Sequence, residues 1–115
     1  MVDAADLEQH LLSFPETMKS GHMGTIDFRA PRKIFATLPD PETLRLNLKP
    51  EQQALYLETQ SEVFAPVKGA WGGKGWTEIS LADCLLDDLK PAISEAWHNV
   101  ALKRMVAALN QRDAV

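Results

Sequence analysis

Three short runs in the first half of the chain alternate apolar and polar residues with a period of two. Pro31 separates the first run from the second, and residues 39–41 separate the second from the third. The apolar positions are Ile26, Phe28, Ile34, Ala36, Leu38, Leu44, Leu46 and Leu48. Strands with one buried face show this alternation, and connections this short join antiparallel strands. The sequence therefore predicts an antiparallel meander with one buried face.

Helical patterns lie on both sides of this meander. Residues 3–14 carry apolar side chains at helical spacing and acidic residues near their start. Pro50 suits the first position of a second helix that continues to about residue 60. The last helix carries an apolar stripe from residue 89, which shifts beyond Ala101, and Pro91 is expected in its first turn. Residues 16–24 read as a loop or an irregular strand.

Two more strands are predicted between the second and last helices, over residues 63–67 and 76–81. Because proline cannot donate a hydrogen bond to a neighbouring strand, Pro66 indicates that the first of these strands lies at the edge of the sheet or that the strand ends there. The predicted order is α-β-β-β-α-β-β-α. We expect an α+β fold, a two-layer sandwich in which helices pack on one face of an antiparallel sheet.

Composition limits the functions that this chain can have. Its 115 residues correspond to one domain, and its net charge of −4 counts against a protein that coats nucleic acid, although a local basic face is compatible with it. One cysteine, Cys84, excludes an intrachain disulfide and a multi-cysteine zinc site. With no signal-peptide pattern and no run of about 18 apolar residues, we expect a cytoplasmic protein without a membrane span.

Residues 71–76 form a glycine-rich segment that matches no nucleotide-binding motif. A phosphate-binding loop requires Ser or Thr after Gly73-Lys74 and a glycine at position 68, and neither is present. The pattern favours a hairpin loop whose glycines adopt positive φ, with Trp71 exposed and Trp76 in the core. The alternative is a loop that a ligand approaches closely, with Lys74 and the tryptophans as contacts.

Basic residues cluster on two predicted turns. Arg29, Arg32 and Lys33 lie around the first, while Lys68 and Lys74 lie on the second. If the two turns are adjacent in the folded protein, these side chains could bind phosphates of a nucleic acid while aromatic rings stack on its bases. The alternative is a pair of solvated hairpin ends.

No catalytic constellation is visible. Cys84 lies among Asp83, Asp87 and Asp88, whose negative charge disfavours the thiolate. We interpret these acidic residues as stabilising the start of the last helix. Glu95 and His98 have the one-turn spacing of di-iron sites, but the second pair that such sites need is missing. The sequence therefore predicts no metal, no cofactor and no enzymatic activity.

Ordered motifs over residues 5–107 resemble the MmcQ/YjbR family. They are residues 21–24, 27–29, 33–38, 48–53 and 63–69, then Trp71, Gly72 and Gly75, residues 96–99, and Lys103 with Arg104. The resemblance implies a single domain over residues 1–115, with a two-layer fold comparable to CyaY and to secretion chaperones. It also implies a family label, predicted DNA-binding with a double-wing motif, but no catalytic residues.

The basic and aromatic loop positions that match the family pattern are Phe28, Arg29, Lys33, Lys68 and Trp71. This chain departs from the family at residues 30–32, where glycines are common. It departs again at Gly73, where arginine is frequent and where its absence removes a positive charge from the loop.

Three functional hypotheses follow. The first is a non-enzymatic module that binds nucleic acid, and its candidate residues are Phe28, Arg29, Arg32, Lys33, Lys68, Trp71 and Lys74. The second is a protein-interaction or chaperone-like module that uses a sheet edge or the open sheet face, with Phe35 on that face. The third is a small-ligand binder or enzyme that uses residues 71–76 and His22. We expect a monomer or a weak homodimer.

Overall fold

The helices and strands form two layers, with one face of an antiparallel sheet covered by helices. The computed structural model describes residues 1–22 and 24–114, and it describes His22 by its backbone alone. In this part of the chain the strands are β1 Met18–His22, β2 Thr25–Arg29, β3 Ile34–Asp40, β4 Thr43–Asn47, β5 Phe64–Pro66 and β6 Trp76–Ser80. Their order in the sheet is β1-β2-β3-β4-β6-β5, and all neighbours pair antiparallel.

The helices confirm the predicted order and add detail to it. They are α1 Ala4–Leu12, α2 Pro50–Thr59, α3 Ala70–Gly73, α4 Leu86–Val100 and α5 Lys103–Asp113, with a 3₁₀ turn at Leu81–Asp83. The last predicted helix is divided at Ala101 into α4 and α5, where the apolar stripe shifts. Residues 18–22, in the stretch predicted as loop or irregular strand, form the edge strand β1. No helix among the described residues is long and apolar enough to cross a membrane.

The core lies between the sheet and the helices. Helix α4 packs against β3 and β4, α1 packs against α4, and α2 packs against β5 and β6. Trp97 of α4 is fully buried and lies 5.2 Å from Phe14 between ring centroids. Tyr56 of α2 stacks on Phe64 of β5 at 4.7 Å. Burial of one such large side chain contributes about 1.5–3 kcal/mol, so these contacts fix the helix layer on one face.

A β-bulge at the start of β3 changes which residues face the core. Phe28 pairs with Ala36, whereas the next residue, Arg29, pairs with Ile34, so Phe35 is an extra residue in the ladder. The bulge turns Phe35 into the core, where it has 0% exposure, and leaves Ile34 on the open face. The alternation predicted the reverse, with Ile34 inside and Phe35 outside, and it is wrong at this position.

Helix α4 begins earlier than the sequence predicted. The Asp88 carboxylate accepts a hydrogen bond from the backbone N–H of Leu85 at 3.1 Å, and this capping starts the helix at Leu86. Pro91 therefore lies beyond the first turn, inside the helix, and the prediction for Pro91 is wrong. The assignment of the acidic run to the helix start is confirmed for Asp87 and Asp88, which lie in the first turn of α4. Asp83 instead lies in the preceding 3₁₀ turn, where its carboxylate accepts a hydrogen bond from Ser80 Oγ.

Candidate functional site

The open face of the sheet carries a row of polar side chains. Asp27, Thr37, Arg45 and Glu78 are successive cross-strand partners from β2 to β6. Arg45 Nε donates a hydrogen bond to Glu78 Oε1 at 3.1 Å, and Arg29 Nε donates to Asp27 Oδ1 at 2.9 Å. The hydrogen bond and charge of Asp27 raise the pKa of the Arg29 guanidinium. Both arginines of the face are thus paired with carboxylates.

A hollow of about 290 Å³ lies on this face at the end of the sheet where β3 and β6 begin. Its lining consists of Ile34, Thr37, Arg45, Val67, Trp71 and Trp76. Trp71 is 61% exposed, as the sequence predicted. Trp76 opens β6 as predicted, but it is half-buried on the open face and the prediction of a core position is wrong. The inward positions of β6 belong to the buried Thr77 and Ile79.

Close backbone packing shapes residues 67–75, the segment that holds Trp71. A Cβ at Gly75 would overlap the carbonyl oxygen of Leu48, and a Cβ at Gly72 would overlap that of Val67. Gly75 also has a φ of +110°, a conformation that side chains rarely allow. Positive φ is therefore confirmed in this segment, although part of it forms the short helix α3 instead of a simple hairpin loop.

The Gln53 side chain anchors this segment from inside the protein. Its Nε2 lies 3.1 Å from the carbonyl oxygen of Gly72 and 3.0 Å from that of Trp76, and it is also 3.2 Å from Thr77 Oγ1. The Thr77 hydroxyl donates to the carbonyl oxygen of Gly75 at 2.8 Å. A buried amide requires such partners, so Gln53 positions the tryptophan segment. The role of Gln53 was not predicted from the sequence. The pattern that could have indicated it is a polar residue one helical turn before Tyr56, on the inward face of α2.

The two basic turns leave the sheet at the same end. Arg32 and Lys33 lie on the β2–β3 turn, and Lys68 and Lys74 lie between β5 and β6. Ile34 directly follows Lys33, and Val67 directly precedes Lys68. Both Ile34 and Val67 line the hollow. We call these four exposed residues the basic rim, and they make no ion pair with any residue that the structure describes. The two basic turns therefore lie at the same end of the sheet as the hollow, although none of the four rim side chains lines it.

The predicted aromatic and basic residues fall into two groups. Arg29, Arg32, Lys33, Lys68, Trp71 and Lys74 lie at this end of the sheet. Lys74 Nζ lies 4.9 Å from the centroid of the Trp71 ring, which is a cation–π contact. Phe28 is different: it faces the helices with 0% exposure, because it alternates with the outward Asp27. The folded protein does not present Phe28 to a partner, so its prediction as a contact is corrected.

Acidic residues occupy the opposite end of the sheet. Asp40 and Glu42 lie on the β3–β4 turn, Glu62 precedes β5, and Asp83 follows β6. Glu42 and Glu62 line a second hollow of about 300 Å³. Acidic residues therefore lie at one end of the strands, and the basic rim lies at the other end, beside the tryptophans.

Cys84 and His22 are two residues with nucleophilic or metal-binding side chains. No three His, Cys, Asp or Glu side chains among the described residues come together in a way that could hold a metal ion. Cys84 is buried, and burial together with the charge of Asp88 raises the pKa of its thiol. His22 ends strand β1 instead of lying in a loop; its side chain, and all of Met23, lie outside the described residues.

Comparison with solved structures identifies the fold. The chain superposes on Deinococcus radiodurans protein DR2400, described as a DUF419 domain, with a TM-score of 0.72. The match covers 92% of this chain and 86% of that one, at 17% sequence identity. No protein-family model matches the sequence, and no curated protein matches it either. The protein thus has the same fold as the DR2400 domain.

Proposed function

We propose that this protein is a non-enzymatic module that binds nucleic acid at the basic end of its open sheet face. The observation that carries the proposal is that the basic rim lies at the same end of the sheet as a hollow lined by two tryptophans. Cations bind phosphates, and exposed aromatic rings stack on bases. The DUF419 fold of the structural neighbour supports membership of the MmcQ/YjbR family, whose label is predicted DNA-binding. The lone buried cysteine fits action in the cytoplasm.

The basic rim supplies the affinity in this proposal. Arg29 and Arg45 contribute little net charge, because Asp27 and Glu78 already neutralise them. Each phosphate neutralised on a single strand contributes about −0.7 to the slope of log affinity against log salt. Four rim contacts therefore give a slope of about −3, and each rim lysine removed should reduce that slope by about 0.7.

Fluorescence anisotropy with labelled DNA between about 50 and 200 mM salt tests the proposal. Lys33→Gln and Lys68→Gln should each weaken binding and flatten its salt dependence. Lys103→Gln is the matched control, because this exposed lysine lies on α5 and not at the hollow. Absence of binding at high micromolar protein in low salt would refute the proposal, and so would an equal loss with the control variant.

A protein-interaction module is the second candidate, and the apolar walls of the hollow favour it. Ile34, Val67 and the two tryptophans would suit an apolar side chain of a partner. Phe35 is not the residue to test, because it is buried and a charge there would disrupt the core. A partner recovered with wild type and with Leu55→Asp, but lost with Ile34→Asp, would favour this candidate, since Leu55 is exposed on α2.

A further inference from the structure

We infer that the hollow receives one unpaired base, so that the protein prefers single-stranded nucleic acid to duplex. This inference rests on the proposed function and adds to it the class of nucleic acid and the point of contact. It is carried by the chemistry of the residues that line the hollow and by the charged residues at this end of the sheet.

The walls of the hollow suit a flat aromatic ring. Trp71 projects from α3 and is 61% exposed, while Trp76 comes from β6 and is half-buried beside it. Ile34 and Val67 complete the apolar lining. Every base offers a π face, so stacking on such a surface tolerates any sequence. The Lys74 ammonium over the Trp71 ring brings a positive charge beside the stacking surface.

The lining of the hollow also offers hydrogen-bond donors for the edge of a base. Thr37 and Arg45 lie there, on β3 and β4. Arg45 uses Nε for its hydrogen bond to Glu78, and a guanidinium carries five N–H donors in all. The lining of the hollow therefore combines apolar and aromatic side chains with a few polar groups, as small-molecule sites do.

The geometry fits a single strand better than a duplex. In a duplex both faces of a base are covered by neighbouring bases, and exposing one costs a few kcal/mol. The major groove is read by an element that projects into it, such as a helix or a two-stranded ribbon. At this site the hollow is shallow and open, and helix α3 beside it has only four residues. A shallow, open surface can receive a base that is already unstacked.

Charge at the site agrees with one strand lying across it. On the face itself, Arg29 and Arg45 are balanced by Asp27 and Glu78. The basic rim carries positive charge that has no ion-pair partner among the described residues, and its two turns lie at the same end of the sheet as the hollow. A single strand can place its phosphates at the rim while one base turns into the hollow. The phosphates then meet the basic side chains of the rim, and the base meets the tryptophans.

Three DNA probes of about 12 nucleotides separate the contribution of bases from that of phosphates. They are oligo(dT), the same strand paired with oligo(dA), and an abasic strand of equal length. Oligo(dT) should bind roughly 5- to 100-fold more tightly than the abasic strand, and more tightly than the duplex. It should also quench tryptophan fluorescence, while Trp97 in the core supplies a constant background.

Substitution of Trp71 tests the contact itself. Trp71→Ala should weaken oligo(dT) binding roughly 5- to 100-fold and leave abasic binding unchanged, whereas Trp71→Phe should retain most of the affinity. Leu55→Ala is the control, because it removes an exposed apolar side chain from α2. Because Trp71 is exposed, these variants should fold, and circular dichroism verifies this.

Two outcomes overturn the inference, and they are distinguishable. Equal, salt-dependent binding of all three probes without quenching would refute the single base in the hollow and leave the proposed function intact. Absence of binding to every probe at low salt would refute the proposed function and this inference together.

Discussion

Alanine at position 75 should destabilise the fold far more than alanine at position 73, two residues away. Gly75 has a φ of +110°, and its Cβ would overlap the carbonyl oxygen of Leu48, the residue that follows β4. Gly73 has neither constraint, since no atom lies within 4 Å of the position that a Cβ would occupy and its φ is not positive. Gly69 lies between these cases, with a φ of +89° and open space around it.

The structure gives the size of each effect. A side chain at a φ reserved for glycine costs about 1–3 kcal/mol, and forcing an extra carbon into packed backbone costs about 1–3 kcal/mol more. Gly75→Ala should therefore lower the free energy of unfolding by about 4 kcal/mol. A chain of this length has about 6–17 kcal/mol in total. The expected fall in Tm is about 15 °C.

Urea and thermal unfolding, followed by circular dichroism, measure the series. Gly69→Ala should lose about 1–3 kcal/mol, from backbone strain alone. Gly73→Ala should be neutral or gain up to about 1 kcal/mol, because alanine restricts the unfolded chain. If Gly75→Ala proves no less stable than Gly69→Ala, the close approach of this segment to β4 is wrong.

Three further predictions concern buried polar groups. Gln53→Leu should lower the free energy of unfolding by about 2 kcal/mol, since two hydrogen bonds are lost, and it should weaken DNA binding because the Trp71 segment loses its anchor; unchanged urea midpoints would contradict this. Burial, and then the charge of Lys90, lower the pKa of His10, so the unfolded chain takes up a proton first. Stability should decline as pH falls below about 6.5 and level off below the folded pKa, and His10→Leu should flatten that decline in urea titrations across pH. Cys84 should react with a thiol reagent at mildly alkaline pH far more slowly in the native protein than in urea, because burial raises its pKa; equal rates would show that the thiol is accessible.

Local patterning was sufficient to predict much of this fold. In β4 the alternation is regular, and Leu44 and Leu46 are buried as predicted. In β3 it fails, because nothing in the sequence marks Phe35 as an extra residue. A bulge arises where the pairing with a neighbouring strand shifts, and that pairing depends on contacts distant in sequence. The inward turn of Phe35 could therefore not be predicted from period-two patterning.

The candidate site, like the fold, could be predicted only in part from the sequence. The types of its residues were predictable, since basic residues and tryptophans on turns are visible in the sequence. Their convergence depends on β6 pairing with β4, which brings residues 67–75 to the same end as the β2–β3 turn. The face of Trp76 depends on the same register, in which it pairs with Asn47. Position at the start of a strand does not reveal which face a residue occupies.

The separation of acidic from basic turns places charges of opposite sign at the two ends of the sheet. A polyanion repels a protein of charge −4 as a whole, yet its field also exerts a torque that rotates the protein until the basic end leads. This rotation acts within about one screening length, roughly 8 Å at physiological salt. In the proposed complex with nucleic acid, orientation would thus be selected before contact, and adding salt should slow productive encounters as well as weaken binding.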